Sequence, residues 1–381
     1  MFYGSVFFFM ANLFAAIAIF PAYSLAIGST PFQAGLQNTA FGIAAVLLRL
    51  FLGPVMDRQG PKTLMLLGIF SFATTPLLLL ISPSFNMLLA ARIYQALGLA
   101  VVLPGISTLV AEMAPPGRIG TYLGSTRIFI NLGLLAGPSS ALFIIVESGY
   151  NQWFIFSAFT GMLSLALLAV VKTPAVPVRA EKTVSSLNQI KKALSEKQIY
   201  PIIAAIAIFS FTYSAVVSFT AIHIETAAPG YEAAYFFIIL GLTGIIVSLA
   251  VGALSDHFGR RRVAWPMLTV LGTGSALFYF LPSWPALVFI CAVILGIGIQ
   301  GCSLVFAAWL IDISKPGLRA TTISIQENTI DIFFAVGALS FGLAAQGPGL
   351  GIAFLVTGIS TMALALPLSR KSADLGRKQT H

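Results

Sequence analysis

Charge is what this sequence has least of. Only 9% of its 381 residues are Asp, Glu, Lys or Arg, against roughly 25% in soluble domains. Twenty-one basic and 12 acidic side chains cannot cover a water-facing surface on a chain of this length. Cysteine is equally scarce. Cys291 and Cys302 stand 11 positions apart on one expected helix, about 16 Å by helical rise, so they cannot bridge within it and read as small apolar packing residues. Three histidines, with no Cys–His spacing, give no metal site. A phosphate-binding glycine loop, a nucleophile elbow and a metalloprotease helix are all missing, so neither hydrolysis nor ATP-driven work is expected of the chain, and no cofactor. It is not expected to be an enzyme. The net charge of +9 does not point to nucleic acid, because the basic residues form no continuous face.

What is there is apolar. Hydrophobic residues make up 58% of the chain and mean hydropathy is +0.94, which defines an integral membrane protein. The 34 glycines and 20 prolines fit, since both are commoner in membrane helices than in soluble ones. Continuous apolar runs, without the alternation of barrel strands, predict twelve helices near 3–26, 35–56, 63–82, 86–112, 119–146, 152–171, 200–224, 232–255, 263–282, 284–311, 319–345 and 350–369. The first run opens at Met1 with no basic segment before it and reads as a retained span, not a cleaved signal.

Eighteen of the 21 Lys and Arg residues fall in the even-numbered connections, the central loop and the C-terminal tail, and none in the odd-numbered connections. The positive-inside rule then places both termini in the cytoplasm. Trp153, Trp265, Trp284 and Trp309 fall near span ends, where indole rings favour the interface. Residues 172–199 form the one real linker. Val184, Leu187, Ile190 and Leu194 recur there at helical spacing beside lysines, the pattern of a basic helix lying on an anionic leaflet, although a solvated tether fits as well. The expected organisation is a six-helix bundle over 1–171, the linker, a second bundle over 200–369 and a cytoplasmic tail over 370–381. An internal repeat supports the division. Gly53, Asp57 and Gly60 recur as Gly252, Asp256 and Gly259, and Gly98 recurs as Gly298.

The connection after the second span reads Gly53-Pro-Val-Met-Asp57-Arg58-Gln-Gly60-Pro-Lys62, and its counterpart reads Gly252-Ala-Leu-Ser-Asp256-His257-Phe-Gly259-Arg260-Arg261-Arg262. Both resemble the signature loop G-x-x-x-D-R-x-G-R-[RK] of the major facilitator superfamily, with Pro61 and His257 as departures. The later glycine suits a tight turn, and an aspartate at a helix end can face the positive end of a neighbouring helix. The resemblance implies a fold of two pseudo-symmetric six-helix halves working by alternating access. It further implies that Asp57 meets the start of the eleventh helix with Arg58 and Glu112 completing a charge relay, mirrored by Asp256 and Asp312.

The fourth span carries Arg92-Ile-Tyr-Gln95-Ala-Leu-Gly98, similar to the family's R-x-x-Q-G-x-G. Arg92 lies about 9 Å inside its outer end by helical rise, so it either snorkels outward or faces a polar cavity. The fifth span reads Gly124-x8-Gly133-x3-Gly137-Pro138 and resembles the signature of drug–proton antiporters in the superfamily, without its closing glycine pair; a glycine packing seam would look the same.

Few charges lie inside the spans. Arg49 on the second helix and Glu327 on the eleventh stand at similar depth and form a candidate ion pair between the halves, and Asp331 one turn deeper is the candidate proton carrier. The first span has no acid, only Asn12, although many drug exporters carry one there. Arg127 sits where the repeat places Glu327, and with Asn12, Gln95 and Asn131 completes the expected polar lining of a substrate cavity. His223, near Glu225, is a lone interface histidine that reads as a packing or hydrogen-bonding residue. The expected function is proton-coupled efflux of a small amphipathic molecule by a monomer in a bacterial plasma membrane, its partners being substrate, protons and lipid. A proton symporter importing a sugar or organic anion is the alternative, and a transporter-derived sensor or scaffold a third.

Overall fold

The computed structural model describes residues 1–115, 119–172, 192, 194–196, 198–314 and 319–377. Within these, the side chains of Gly53, Pro54, Asp57, Arg58, Ala111, 119–121, Leu123, Arg319, Ala320 and 366–377 lie outside the description, as does most of the linker with its expected amphipathic helix. Twelve long helices are described: α1 Phe2–Ala26, α2 Pro31–Gln59, α3 Pro61–Ile81, α4 Phe85–Met113, α5 Ile119–Ser148, α6 Tyr150–Val170, α7 Ile199–Ala227, α8 Ala233–Phe258, α9 Arg260–Leu277, α10 Leu287–Ile313, α11 Arg319–Gln346 and α12 Leu350–Arg377. Eleven contain an apolar stretch long enough to cross a bilayer, and α12 has a shorter one, Leu350–Ala365.

Helix ends fall where capping chemistry puts them, a little beyond the apolar runs. α2 begins at Pro31 because Thr30 and Gln33 form a reciprocal capping box and proline suits the first helical turn. The signature connections are barely loops. Gly60 alone separates α2 from α3, and Gly259 alone separates α8 from α9, at φ 83° and 88°. A side chain at either position would be strained, which explains the glycine in both copies.

Each half is a bundle. α1 packs on α5 and α6, α3 on α4 and α6, and α2 on α4; α7 packs on α11 and α12, α9 on α10 and α12, and α8 on α10. Close backbone contact is built in: a Cβ at Gly98 would stand 2.8 Å from the Gly68 carbonyl oxygen, and one at its repeat partner Gly298 would stand 2.6 Å from Leu271 Cα. The halves meet along α2–α11, α5–α8 and α1–α7. The connections α2–α3, α4–α5, α8–α9 and α10–α11 share one end of the bundle, hereafter the basic end; the other is the far end. Cys291 and Cys302 are both buried and unbridged.

Candidate functional site

α2 and α11 run antiparallel with a fixed register. A Cβ on Gly35 would collide with the Ala338 carbonyl oxygen, the Thr39 hydroxyl donates to Ala335 O at 2.8 Å, and Gly42 lies against Ala335 and the Asp331 carbonyl. Continuing this register toward the basic end brings Arg49 level with Asn328, and Arg49 Nη1 donates to Asn328 Oδ1 at 2.9 Å. The guanidinium also reaches one turn toward the far end and pairs with Asp331 Oδ2 at 2.7 Å; the two side chains are 14% and 10% exposed. The expected partner Glu327 is therefore corrected to Asp331. Glu327, half-buried beside Asn328, has no hydrogen-bond or ion-pair partner among the described residues.

The seam between α5 and α8 mirrors this one. The repeat offset of about 200 that relates the halves maps Arg49 onto Ser248 and Asp331 onto Asn131. Asn131 Nδ2 donates to Ser248 Oγ at 2.9 Å, and Gln300 Nε2 on α10 donates to Asn131 Oδ1 at 2.7 Å. Further toward the far end, Ser139 Oγ donates to Ala234 O at 3.2 Å, and a Cβ on Gly241 would stand 2.7 Å from Leu135 Cα. Asn131 is thus a tie between the halves, where the sequence suggests a substrate anchor. Arg127, one turn nearer the basic end on the same stripe, is exposed.

Arg92 neither snorkels nor borders open space. It is fully buried, donating to Gln95 Oε1 and to Asn38 Oδ1 (2.6 Å), with Phe41 and Phe20 ring centroids 3.8 and 5.2 Å from its Cζ. Asn38, on α2, in turn donates to Ser218 Oγ on α7 at 3.0 Å, so a buried cation with only neutral and aromatic partners is linked to the other half through α2 and α7. Gln95 belongs to this cluster. Asn12 is a further correction: it does not face the other half. Its amide donates to Thr160 Oγ1 at 3.0 Å and accepts from Ser157 Oγ, both on α6, in a small groove between α1 and α6. A buried amide must satisfy its donors, and α6 supplies the hydroxyls.

At the basic end, Arg260 joins the two expected gate acids of the second half, pairing with Asp256 and with Asp312 Oδ2 at 3.0 Å. In the first half, the side chains of Gly53, Asp57 and Arg58 lie outside the described residues. Glu112, two residues past the apolar span of α4, has Oε2 buried without a hydrogen-bond partner among the described residues, and burial raises its carboxyl above the usual range. A Cβ placed on Gly252 or Gly124 would meet no described atom within 4 Å, so neither is a close-packing glycine in this conformation. Gly133 and Gly137 are: a Cβ on either would collide with Met10 or Ala11 of α1, next to Pro138 within α5. His223 is buried, with Nε2 3.0 Å from Phe278 O. Asn328, Ser248, Gln300, Asn38 and Ser218 escape the sequence reading; applying the repeat offset to Arg49 would have pointed to Ser248.

Two six-helix halves, held together by paired polar ties on pseudo-symmetric seams, define a helical membrane protein of the two-bundle class. The chain belongs to the Major Facilitator Superfamily, whose family model matches residues 2–265 and, overlapping, 225–377. Among curated relatives, it is 24% identical over 169 residues to the quinolone resistance protein NorA of Staphylococcus aureus (strain MRSA252); that match covers 44% of this chain and 43% of NorA, less than half of either. It is 21% identical over 363 residues to the uncharacterized MFS-type transporter MJ1560 of Methanocaldococcus jannaschii, covering 91% of each. Among solved structures, a POT family transporter in complex with 5-aminolevulinic acid superposes with a TM-score of 0.82 at 14% identity, covering 98% of this chain and 96% of the other. The nucleoside transporter NupG gives 0.77 at 14% identity, covering 96% of this chain and 97% of the other. These likenesses show the fold; the family and the solved neighbours are transporters.

Proposed function

We propose that this chain is a secondary active transporter that exports a small amphipathic molecule in exchange for protons. The basic end faces the cytoplasm, and the bundles 1–171 and 200–369 rock about the seams between them. The observation that carries the reading is the Arg49–Asp331 ion pair at the contact of the halves. A carboxylate held there by a cation from the other half ties protonation to the relative position of the halves. Protonating Asp331 removes its charge and weakens the hold on Arg49. Glu327 lies beside Asn328, which Arg49 already touches, so the guanidinium can pass one turn along α11 as the basic end closes. The antiporter-like glycine row and the partial likeness to NorA support export.

The polar ties toward the far end, with Arg127, Asp256 and Gly124 exposed nearer the basic end, support reading this conformation as inward-facing. The gate aspartates Asp57 and Asp256 then act when that end closes. Exposed Arg127 supports one second reading, import of an organic anion with a proton, in which it anchors the anion.

The test is active uptake into everted vesicles beside passive exchange. Asp331→Asn abolishes accumulation driven by a pH gradient while exchange down the substrate's own gradient persists; undiminished accumulation removes Asp331 as the proton carrier. Accumulation in right-side-out vesicles instead would select the import reading. Asp57→Asn lowers transport while leaving ligand binding intact, and wild-type rates in that variant would remove the gate assignment.

A further inference from the structure

Opposite the Gly60 turn, the second half departs from its repeat in a way that the transport reading does not use. Arg260, Arg261 and Arg262 open α9 directly after Gly259, and with Phe258, Trp265, Trp309 and Asp312 they line a cavity of about 660 Å³ at the basic end. Arg260 pairs there with Asp256 and Asp312, and Arg261 and Arg262 add two further basic groups to the lining. No acidic residue occupies the first turn of α9 to answer the partial positive charge of the helix start. Arg262 is exposed. The walls are aromatic, Trp265 and Trp309 packing edge to face at 5.8 Å. Trp265 is only 7% exposed, and its indole Nε1 has no hydrogen-bond partner among the described residues.

Apolar surface adjoins this cavity. Leu242, Ile246 and Leu249 share one face of α8 and are 49%, 68% and 69% exposed, which in a bilayer is surface for acyl chains, and Phe258 lines the cavity at the basic end of the same helix. Basic groups, interfacial tryptophans and an acyl-facing stripe together match one chemistry, a phosphodiester carrying hydrocarbon tails. The first half has no equivalent among the described residues. The α2–α3 turn offers Pro61 and Lys62 in place of arginines, and Lys62 Nζ is already engaged with the carbonyls of Ala169 (2.9 Å) and Val171 (2.6 Å) at the end of α6. Leu109 stands where the repeat puts Trp309.

We propose that the cavity at the start of α9 binds the headgroup phosphate of an anionic phospholipid, with its tails along the exposed face of α8. Cation pairing and burial of the tails favour a lipid over free inorganic phosphate, which shares the phosphate chemistry and lacks the tails. Since Arg260 links Asp256 to Asp312, the bound lipid sits against the second-half gate residues. The proposal needs the basic end to lie at a membrane surface but not the direction or coupling of transport, and nanodiscs present the same lipid on both faces, so its failure is separable from failure of the transport reading.

The experiment uses the full chain carrying Trp153→Phe and Trp284→Phe, so that Trp265 and Trp309 report. Nanodiscs of phosphatidylcholine receive a small equal fraction of brominated phosphatidylglycerol or brominated phosphatidylcholine. Brominated phosphatidylglycerol is expected to quench at several-fold lower fraction. Arg262→Gln should weaken that preference about fivefold, as loss of one basic group near an anionic headgroup implies, and Lys62→Gln should leave it unchanged. Native mass spectrometry of the unmutated protein, counting phosphatidylglycerol against phosphatidylcholine retained, gives a second readout should the tryptophan variants fold poorly. Equal quenching and equal retention of the two lipids would overturn the proposal. So would relief of the quenching by millimolar inorganic phosphate at constant ionic strength, which would mark a free-anion site.

Discussion

The α2–α11 and α5–α8 seams occupy equivalent places in the two halves, yet their chemistry differs. Where α2–α11 has Arg49 and Asp331, α5–α8 has Ser248 and Asn131. Both bonds cross between halves at the same depth. One contains an ionisable carboxylate and the other is an amide–hydroxyl bond. The backbones differ in the opposite sense: a Cβ on Gly42 would lie 3.9 Å from Ala335 Cα, whereas one on Gly241 would lie only 2.7 Å from Leu135 Cα. The neutral seam is therefore the more tightly packed at this level, whereas the charged seam has its closest backbone approach further toward the far end, at Gly35. On the proposed reading, the proton chemistry falls on one seam only, and the other serves as a fixed contact.

Arg49→Leu should break the comparison most severely. It leaves Asp331 without its cation, a loss on the order of 3 kcal/mol for a largely buried carboxylate, read as reduced thermal stability of the purified protein at neutral pH and regained on acidification. The exchanged pair Arg49→Asp with Asp331→Arg should recover part of that loss, and no recovery would mean that the two residues do not interact. Gly241→Ala ranks next, at about 1–3 kcal/mol, because a methyl there meets Leu135 backbone as well as side chain. Asn131→Ala removes bonds to Ser248 and Gln300 and should cost about 1–2 kcal/mol without altering the pH dependence of transport; a shifted pH profile would mean that the neutral seam takes part in coupling. Gly42→Ala should have the smallest effect, under about 1 kcal/mol, since Ala335 need give only a few tenths of an ångström. Equal destabilisation by the two glycine substitutions would erase the packing difference between the seams.

The fold was legible because a membrane helix announces itself by length and hydropathy, and the observed helices differ from the expected spans mostly by a few capped residues. Gly60 and Gly259 were legible for the same local reason, a turn too tight for a Cβ. Side-chain partners were harder to read. Depth along a helix put Arg49 level with Glu327, but a long guanidinium covers a full turn and chose Asp331. Asn12 was read as part of the substrate-cavity lining, but hydropathy cannot tell which face of α1 meets the hydroxyls of α6. Arg92 carries no sequence sign of the phenylalanines that enclose it, since Phe20 and Phe41 come from two other helices.

Near the far end, Gly35 and Gly342 bring α2 and α11 together with no side chain between them: a Cβ on Gly35 would lie 3.1 Å from Gly342 Cα. Two bare backbones can roll on each other where interlocked side chains would jam, so this crossing can serve as a fulcrum. From Gly35 to Gln59 the helix extends about 36 Å. A tilt of about 10° at the crossing therefore swings the Gly60 turn through roughly 6 Å, about one helical pitch. On the proposed reading, mechanical advantage of that size would turn a sub-ångström adjustment among glycines at one end into a passage of molecular width at the other.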